Sequence, residues 1–130
     1  MELRHRRRPA LAAACALALL VAGACGPPTL DQVPAHLVGR WQTDAPRYAE
    51  RWLEVRPDSL SFGMGRVALD VHAIERIEIE PEADEGAAYR LHYTEVEGFS
   101  DVLVLHYRGT PAPSLRLGAR DEKWTRVASE

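Results

Sequence analysis

Cys25 is the side chain whose type and setting point most directly to chemistry. It follows Val21-Ala22-Gly23-Ala24, where an apolar run from Ala10 to Ala24 gives out behind Arg4, Arg6, Arg7 and Arg8. A basic start stays on the cytoplasmic side while the apolar run enters a membrane. Small side chains before the cysteine then let a peptidase approach the backbone. The other reactive residue types form no such pattern. His36, His72, His92 and His106 show neither His-x-His nor His-Glu-x-x-His spacing, the arrangements that put two imidazoles on one metal. Glu80, Glu82, Asp84 and Glu85 offer oxygens suited to calcium, but Pro81 stiffens the run and its spacing is not that of an EF-hand loop. They read as a solvated hairpin tip. There is no Gly-x-Ser-x-Gly elbow and no apolar-flanked carboxylate pair. We therefore expect no enzyme: no catalytic residue, no metal and no cofactor.

Ala22-Gly23-Ala24-Cys25, with Val21 before them and the leader behind, resembles the lipobox of bacterial lipoproteins; Ala22 stands where leucine is commonest. The resemblance implies that the Cys25 sulfur receives a diacylglycerol, that cleavage falls before Cys25, and that the freed amino group is acylated. One acyl chain anchors marginally, at about 0.8 kcal/mol per buried methylene, whereas two or more hold permanently. Residues 1–24 would then be a signal helix, 25–36 the lipidated cysteine and a Pro-rich tether, and 37–130 a single β-domain. Gly26 is not the acidic residue that some bacteria use for inner-membrane retention, which points to the outer membrane, facing the periplasm. The residues alone leave other readings open. One is an ordinary secretory signal cleaved near Ala24, with Cys25 a free thiol. Another is an uncleaved span, although about 15 apolar residues fall short of the roughly 20 needed. A third is a lipobox at Cys15.

Four of the 16 basic and one of the 19 acidic residues lie in residues 1–24, leaving 12 against 18 and a formal charge of −6. So acidic a body has no electrostatic footprint for nucleic acid. It is also repelled by anionic lipid, so the acyl anchor must do the holding. Pro27, Pro28 and Pro34 keep residues 26–36 extended, with a reach of about 36 to 40 Å when fully stretched.

From Leu37 onward the hydrophobic period is two. Leu53 and Val55, Leu60 and Phe62, Val67, Leu69 and Val71, Ile77 and Ile79, and Tyr89, Leu91 and Tyr93 each alternate with polar neighbours. Turn residues separate most of these runs, at Pro57-Asp58, Gly63-Met64-Gly65, Pro81 to Gly86, Glu97-Gly98, Gly109 to Pro113 and Arg120 to Glu122. The weakest boundary is His72 to Ile74, and Tyr48 to Val55 tolerates a helical turn. The pattern predicts an all-β fold, an antiparallel meander of about eight or nine short strands closed as a small barrel or folded as a sandwich. If Glu97-Gly98 is a two-residue turn, Tyr93 faces Val102, Leu91 faces Val104 and Tyr89 faces His106. Trp52, beside Glu54 and Arg56, is expected to be exposed.

Leu37-Val38-Gly39-Arg40-Trp41 resembles the Gly-x-Trp opening strand of lipocalin-like barrels. The resemblance implies that Gly39 and Trp41 plug one end of a barrel, with an Arg near the last strand, here Arg126, stacked across the indole. Bulky residues at nearly every expected inward position, Val67, Leu69, Val71, Val102 and Val104 among them, predict a filled interior with no ligand-sized cavity. The function expected is thus a membrane-anchored envelope lipoprotein with a non-catalytic interaction or structural domain and an envelope protein as partner. The alternative is a binder of small hydrophobic ligands or lipid. Replacing Cys25 by Ser should abolish lipid labelling and block processing; tritiated fatty acid still incorporated into the Cys25→Ser variant would refute the assignment.

Overall fold

A computed structural model describes residues 26–128, so Cys25 and the leader lie outside the described residues. Nine strands follow one another: β1 (Thr29–Leu30), β2 (Gly39–Gln42), β3 (Arg51–Val55), β4 (Ser59–Met64), β5 (Val67–Pro81), β6 (Ala87–Thr94), β7 (Ser100–Arg108), β8 (Ser114–Leu117) and β9 (Trp124–Arg126). Every pairing is antiparallel. Strands β2 to β9 neighbour one another in chain order, and β9 pairs back onto β2. The sheet is thus a closed eight-stranded barrel with β1 outside it, which excludes the sandwich. Closure is what removes free sheet edges from an all-β fold. A 3-10 turn spans Pro46–Tyr48, most of Tyr48 to Val55, where a helical turn was open, is strand β3, and no α-helix occurs among the described residues.

One end of the barrel is packed solid. Leu37, Trp41, Leu53, Val55, Leu60, Ile77, Leu91, Leu105 and Leu115 are essentially inaccessible there. The Trp41 indole Nε1–H donates to the Leu37 carbonyl at 2.9 Å, and the Arg126 guanidinium lies 4.9 Å from the indole centroid. Gly39 makes room for that arginine: a β-carbon there would sit 3.4 Å from its Cδ. Arg126 also donates to the His36 carbonyl.

The segment expected as a free tether is docked instead. Thr29 and Leu30 pair with Glu78 and Ile77 of β5, the Ile79 amide donates to the Pro28 carbonyl at 3.0 Å, and Val33 and Leu37 are buried in the core. Apolar side chains on a proline-rich stretch were the available cue. Burying Leu30, Val33 and Leu37 under the barrel outweighs the freedom that the prolines leave.

Two expectations about faces are corrected, each by a shift of register, and one about exposure. The β6–β7 connection is a three-residue loop, Val96-Glu97-Gly98, closed by the Glu95 amide on the Phe99 carbonyl at 2.6 Å. Gly98 supplies the positive φ, 84°, that such a loop needs at its last position. Tyr93 therefore faces Asp101, Leu91 faces Leu103 and Tyr89 faces Leu105. A shift of one residue turns every side chain over: Leu103 and Leu105 point inward, while Val102, Val104 and His106 point out. Strand β5 was expected as two strands but runs unbroken for 15 residues, with an irregularity between Ile74 and Arg76. That bulge resets the alternation. The inward set is His72 and then Ile77 and Ile79; a second register shift, opposite Phe62 and Gly63, puts Val67 and Val71 on opposite faces, and at this end of the strand Val67, Leu69 and Val71 are 61, 59 and 59% exposed. Trp52 points outward yet is 4% exposed. Its ring covers Gly63, Arg40 lies 4.0 Å above it, and its Nε1–H donates to the Gly65 carbonyl.

Trp41 and Leu91 are both fully enclosed. Trp41→Ala should cost about 3 to 5 kcal/mol and Leu91→Ala about 2 to 5 kcal/mol. Denaturant midpoints unchanged in both variants would contradict the packing described.

Candidate binding site at the barrel mouth

The two ends of the barrel differ because the strands do. At the packed end the chain supplies Leu37, Trp41 and Arg126 as a plug. At the other end, β3 and β9 begin while β4, β6 and β8 stop, and no comparable plug covers the interior. A half-open cavity of about 530 Å³ lies there, walled by Tyr48, Phe62, Leu69, Leu103, Leu117 and Trp124. A ligand-sized cavity was not expected from the sequence. The space exists because the large residues concentrate below, at the level of Leu53, Leu91 and Leu105, while Leu69 stands at the rim. Its volume falls within the range of small-molecule sites, about 300–1,000 Å³.

Aromatic groups set the wall on one side. Trp124 packs against Tyr48 with ring centroids 5.6 Å apart. Arg120 donates to the Tyr48 hydroxyl, and Arg47 lies 5.0 Å from the same ring. Arg51 and Arg120 both border the cavity, with Asp70 as the one carboxylate there, and neither arginine forms an ion pair among the described residues. On the opposite side, His72 is buried between Phe62 and Tyr93, at 6.1 and 4.9 Å, and its Nδ1 lies 3.1 Å from the Thr94 carbonyl. The Tyr93 hydroxyl donates to Asp101 at 3.2 Å. Burial first, and then the Asp101 charge, push the Tyr93 phenol up to about 12. The Asp101 carboxyl is held below its ordinary range by the Val102 amide and then by Tyr93.

The residues singled out from the sequence are scattered. Gly39 and Trp41 sit at the packed end, far from the mouth, and serve closure. His106 does not meet Tyr89; it lies outside and bonds Glu82 at 2.8 Å. Tyr89 is met by His36, whose Nε2 is 2.9 Å from the phenolic oxygen. Burial, and then Arg126, keep His36 below the usual imidazole range. His92 bonds Glu78 on the outer wall. Glu80, Glu82, Asp84 and Glu85 lie around the β5–β6 turn, where Asp84 and Glu85 take positive φ. Among the described residues no group of three or more His, Cys, Asp or Glu side chains is arranged to hold a metal ion, and no helix is long and apolar enough to cross a membrane. Sequence reasoning missed Tyr48, Leu103, Leu117 and Trp124 as cavity walls. Only the alternation of Leu115, Leu117 and Leu103, Leu105 signalled them. No family model matches the chain, and no curated protein or solved structure is similar to it.

Alkaline titration followed at 295 nm should show Tyr93 among the last of the four tyrosines to ionise, at about 12. Because its folded pKa lies above the unfolded value of 10.0, its contribution to stability is complete below pH 10 and is lost as pH rises from 10 toward 12. Asp101→Asn should bring that ionisation down, and an unaltered titration in this variant would remove the Asp101 contact from the account.

Proposed function

We propose that the protein is a lipid-anchored envelope lipoprotein whose barrel takes up a small amphiphile, an apolar body with an anionic head, in its open mouth. The anchor rests on Cys25 and its leader. The binding reading rests on one observation, the cavity of about 530 Å³ with aromatic and aliphatic walls. It reverses the order suggested by the sequence, in which a filled interior favoured an interaction domain. Arg51 and Arg120 at the cavity's border favour an acidic head: in a body of charge −6 they are arginines without a carboxylate partner among the described residues. No group needed for bond making or breaking enters this reading, so the domain is read as non-catalytic.

The start of the described chain and the mouth lie at opposite ends. Pro28 is fixed beside Ile79, near the end of β5 that lies away from the mouth. Two residues, Gly26 and Pro27, separate Cys25 from Pro28, and the three steps between them reach about 10 Å. An acylated Cys25 thus seats the packed end on the bilayer and turns the mouth away from it. The likeness of Gly39, Trp41 and Arg126 to the plug of lipocalin-like barrels supports the same division into closed floor and open cup.

Purified protein should bind a fluorescent fatty acid at one-to-one stoichiometry with micromolar affinity, and more tightly than the matching alcohol. Leu117→Trp, which fills the mouth, should weaken binding by about tenfold or more. Absence of saturable binding to the unaltered protein would end this reading.

A further inference from the structure

A second concave site lies on the outer wall, and no residue lines both it and the mouth. It is a cleft of about 440 Å³ over β7 and β8. The β5–β6 turn bounds it on one side, the β7–β8 loop and the lead-in to β9 on the other. The turn is a fixed wall. Its Glu82 amide donates to the Gly86 carbonyl at 2.9 Å, His106 bonds the Glu82 carboxylate at 2.8 Å, and Arg108 reaches Asp84 at 3.5 Å. Gly86 permits the close approach, since a β-carbon there would stand 3.1 Å from the Tyr107 carbonyl oxygen. A wall tied to β7 in this way leaves little ordering to be done when a ligand enters.

Register decides which charges meet in the cleft. His106 pairs with Arg116, and Arg108 with Ser114, across β7 and β8. Alternate residues of a strand share a face, so these four side chains all lie on the outer one. Trp124 pairs with Leu115, and the next step of that register brings Lys123 level with Arg116. Like charges so placed repel each other and weaken a sheet. The nearby carboxylates do not relieve this pair. Glu82 is taken by His106 and Asp84 by Arg108, and neither Arg116 nor Lys123 forms an ion pair among the described residues. Asp121, the remaining carboxylate of the lining, is equally unpaired. Two adjacent cations against one carboxylate leave the cleft short of an anion.

We propose that this cleft binds a phosphorylated sugar. Arg116 offers paired N–H donors that match two oxygens of a phosphate, and Lys123 adds a point charge beside it. Thr110, Ser114 and Asp121, which share the lining, serve the sugar hydroxyls: two hydroxyl side chains that donate or accept, and a carboxylate that accepts. The volume lies within the range of small-molecule sites, about 300–1,000 Å³. An amphiphile of the kind suited to the mouth has no place here, because Tyr107 apart the apolar lining is small, Ala83, Pro111 and Ala112. The site goes beyond the binding reading of the mouth and stands without it.

The test titrates the full-length protein in detergent with glucose 6-phosphate, followed by calorimetry. Binding should saturate at one to one and weaken as salt is added. Glucose and inorganic phosphate should each bind about tenfold more weakly or worse, because each keeps only part of the contacts. Arg116→Gln with Lys123→Gln should weaken binding by about tenfold or more. Both side chains are exposed, so the melting curve should not move; if it does, the two comparisons on the unaltered protein decide. Amide resonances of residues 108–116 and 121–123 should shift, and a fatty acid that saturates the mouth should not displace the sugar phosphate. The proposal is overturned if glucose 6-phosphate shows no saturable binding, or if glucose or inorganic phosphate binds as tightly. It is also overturned if a stably folded double variant binds unchanged, if the shifts fall in the mouth instead, or if the fatty acid competes.

Discussion

The seam between β2 and β9 carries the fold. It is short, two residue pairs, Trp41 with Arg126 and Gln42 with Thr125, yet without it the sheet would be open. Side chains do what so few backbone bonds cannot. Arg126 lies across the Trp41 ring, fills the space left by Gly39 and reaches the His36 carbonyl, while the Val127 amide donates to Arg40 at 2.8 Å. One arginine thereby ties the first barrel strand, the last, and the segment before the barrel into a single contact. Arg126 is itself exposed, so its stacking on the indole is worth about 0.5 to 1 kcal/mol. The indole beneath it is fully enclosed and hydrogen-bonded to Leu37.

The segment from Pro28 to Leu37 turns this seam into a floor. It pairs with β5, buries Val33 and Leu37, and places His36 against Tyr89 and Tyr107. Its packing gives the barrel one dry end. The same allocation of bulk leaves the other end open, since barrel strands of three to nine residues, β5 aside, enclose only a limited height of side chains. Floor and mouth are thus two results of one distribution.

Outside the barrel, charge and apolar surface are unevenly shared. Ion pairs dot the outer wall, within one strand as Arg76 with Glu78, or between neighbouring strands as Arg40 with Glu54. They are exposed and contribute little individually. The apolar exceptions gather on the first half of β5 and at the β6–β7 tip. Trp52 shows that an outward position need not be exposed: one glycine opposite and one arginine above were enough to bury it.

By itself the sequence determined the class of fold, the antiparallel order and most of the strand positions, because a period of two and local turn residues are local properties. It also marked Gly39, Trp41 and Arg126 as the parts of an end plug, and Leu53, Val55, Leu60, Tyr89, Leu91 and Tyr93 as core. What it did not carry was phase. Whether the β6–β7 loop held two residues or three, and whether β5 kept its alternation through Glu75, depended on how distant strands met. Each answer turned a whole strand over. From those two choices followed the inward turn of Leu103 and Leu105, the outward turn of Val102, Val104 and His106, and the burial of Ile77 and Ile79. Only the tertiary structure decided them, because the cost of a bulge or an added loop residue is local while the burial that offsets it comes from the far side of the barrel.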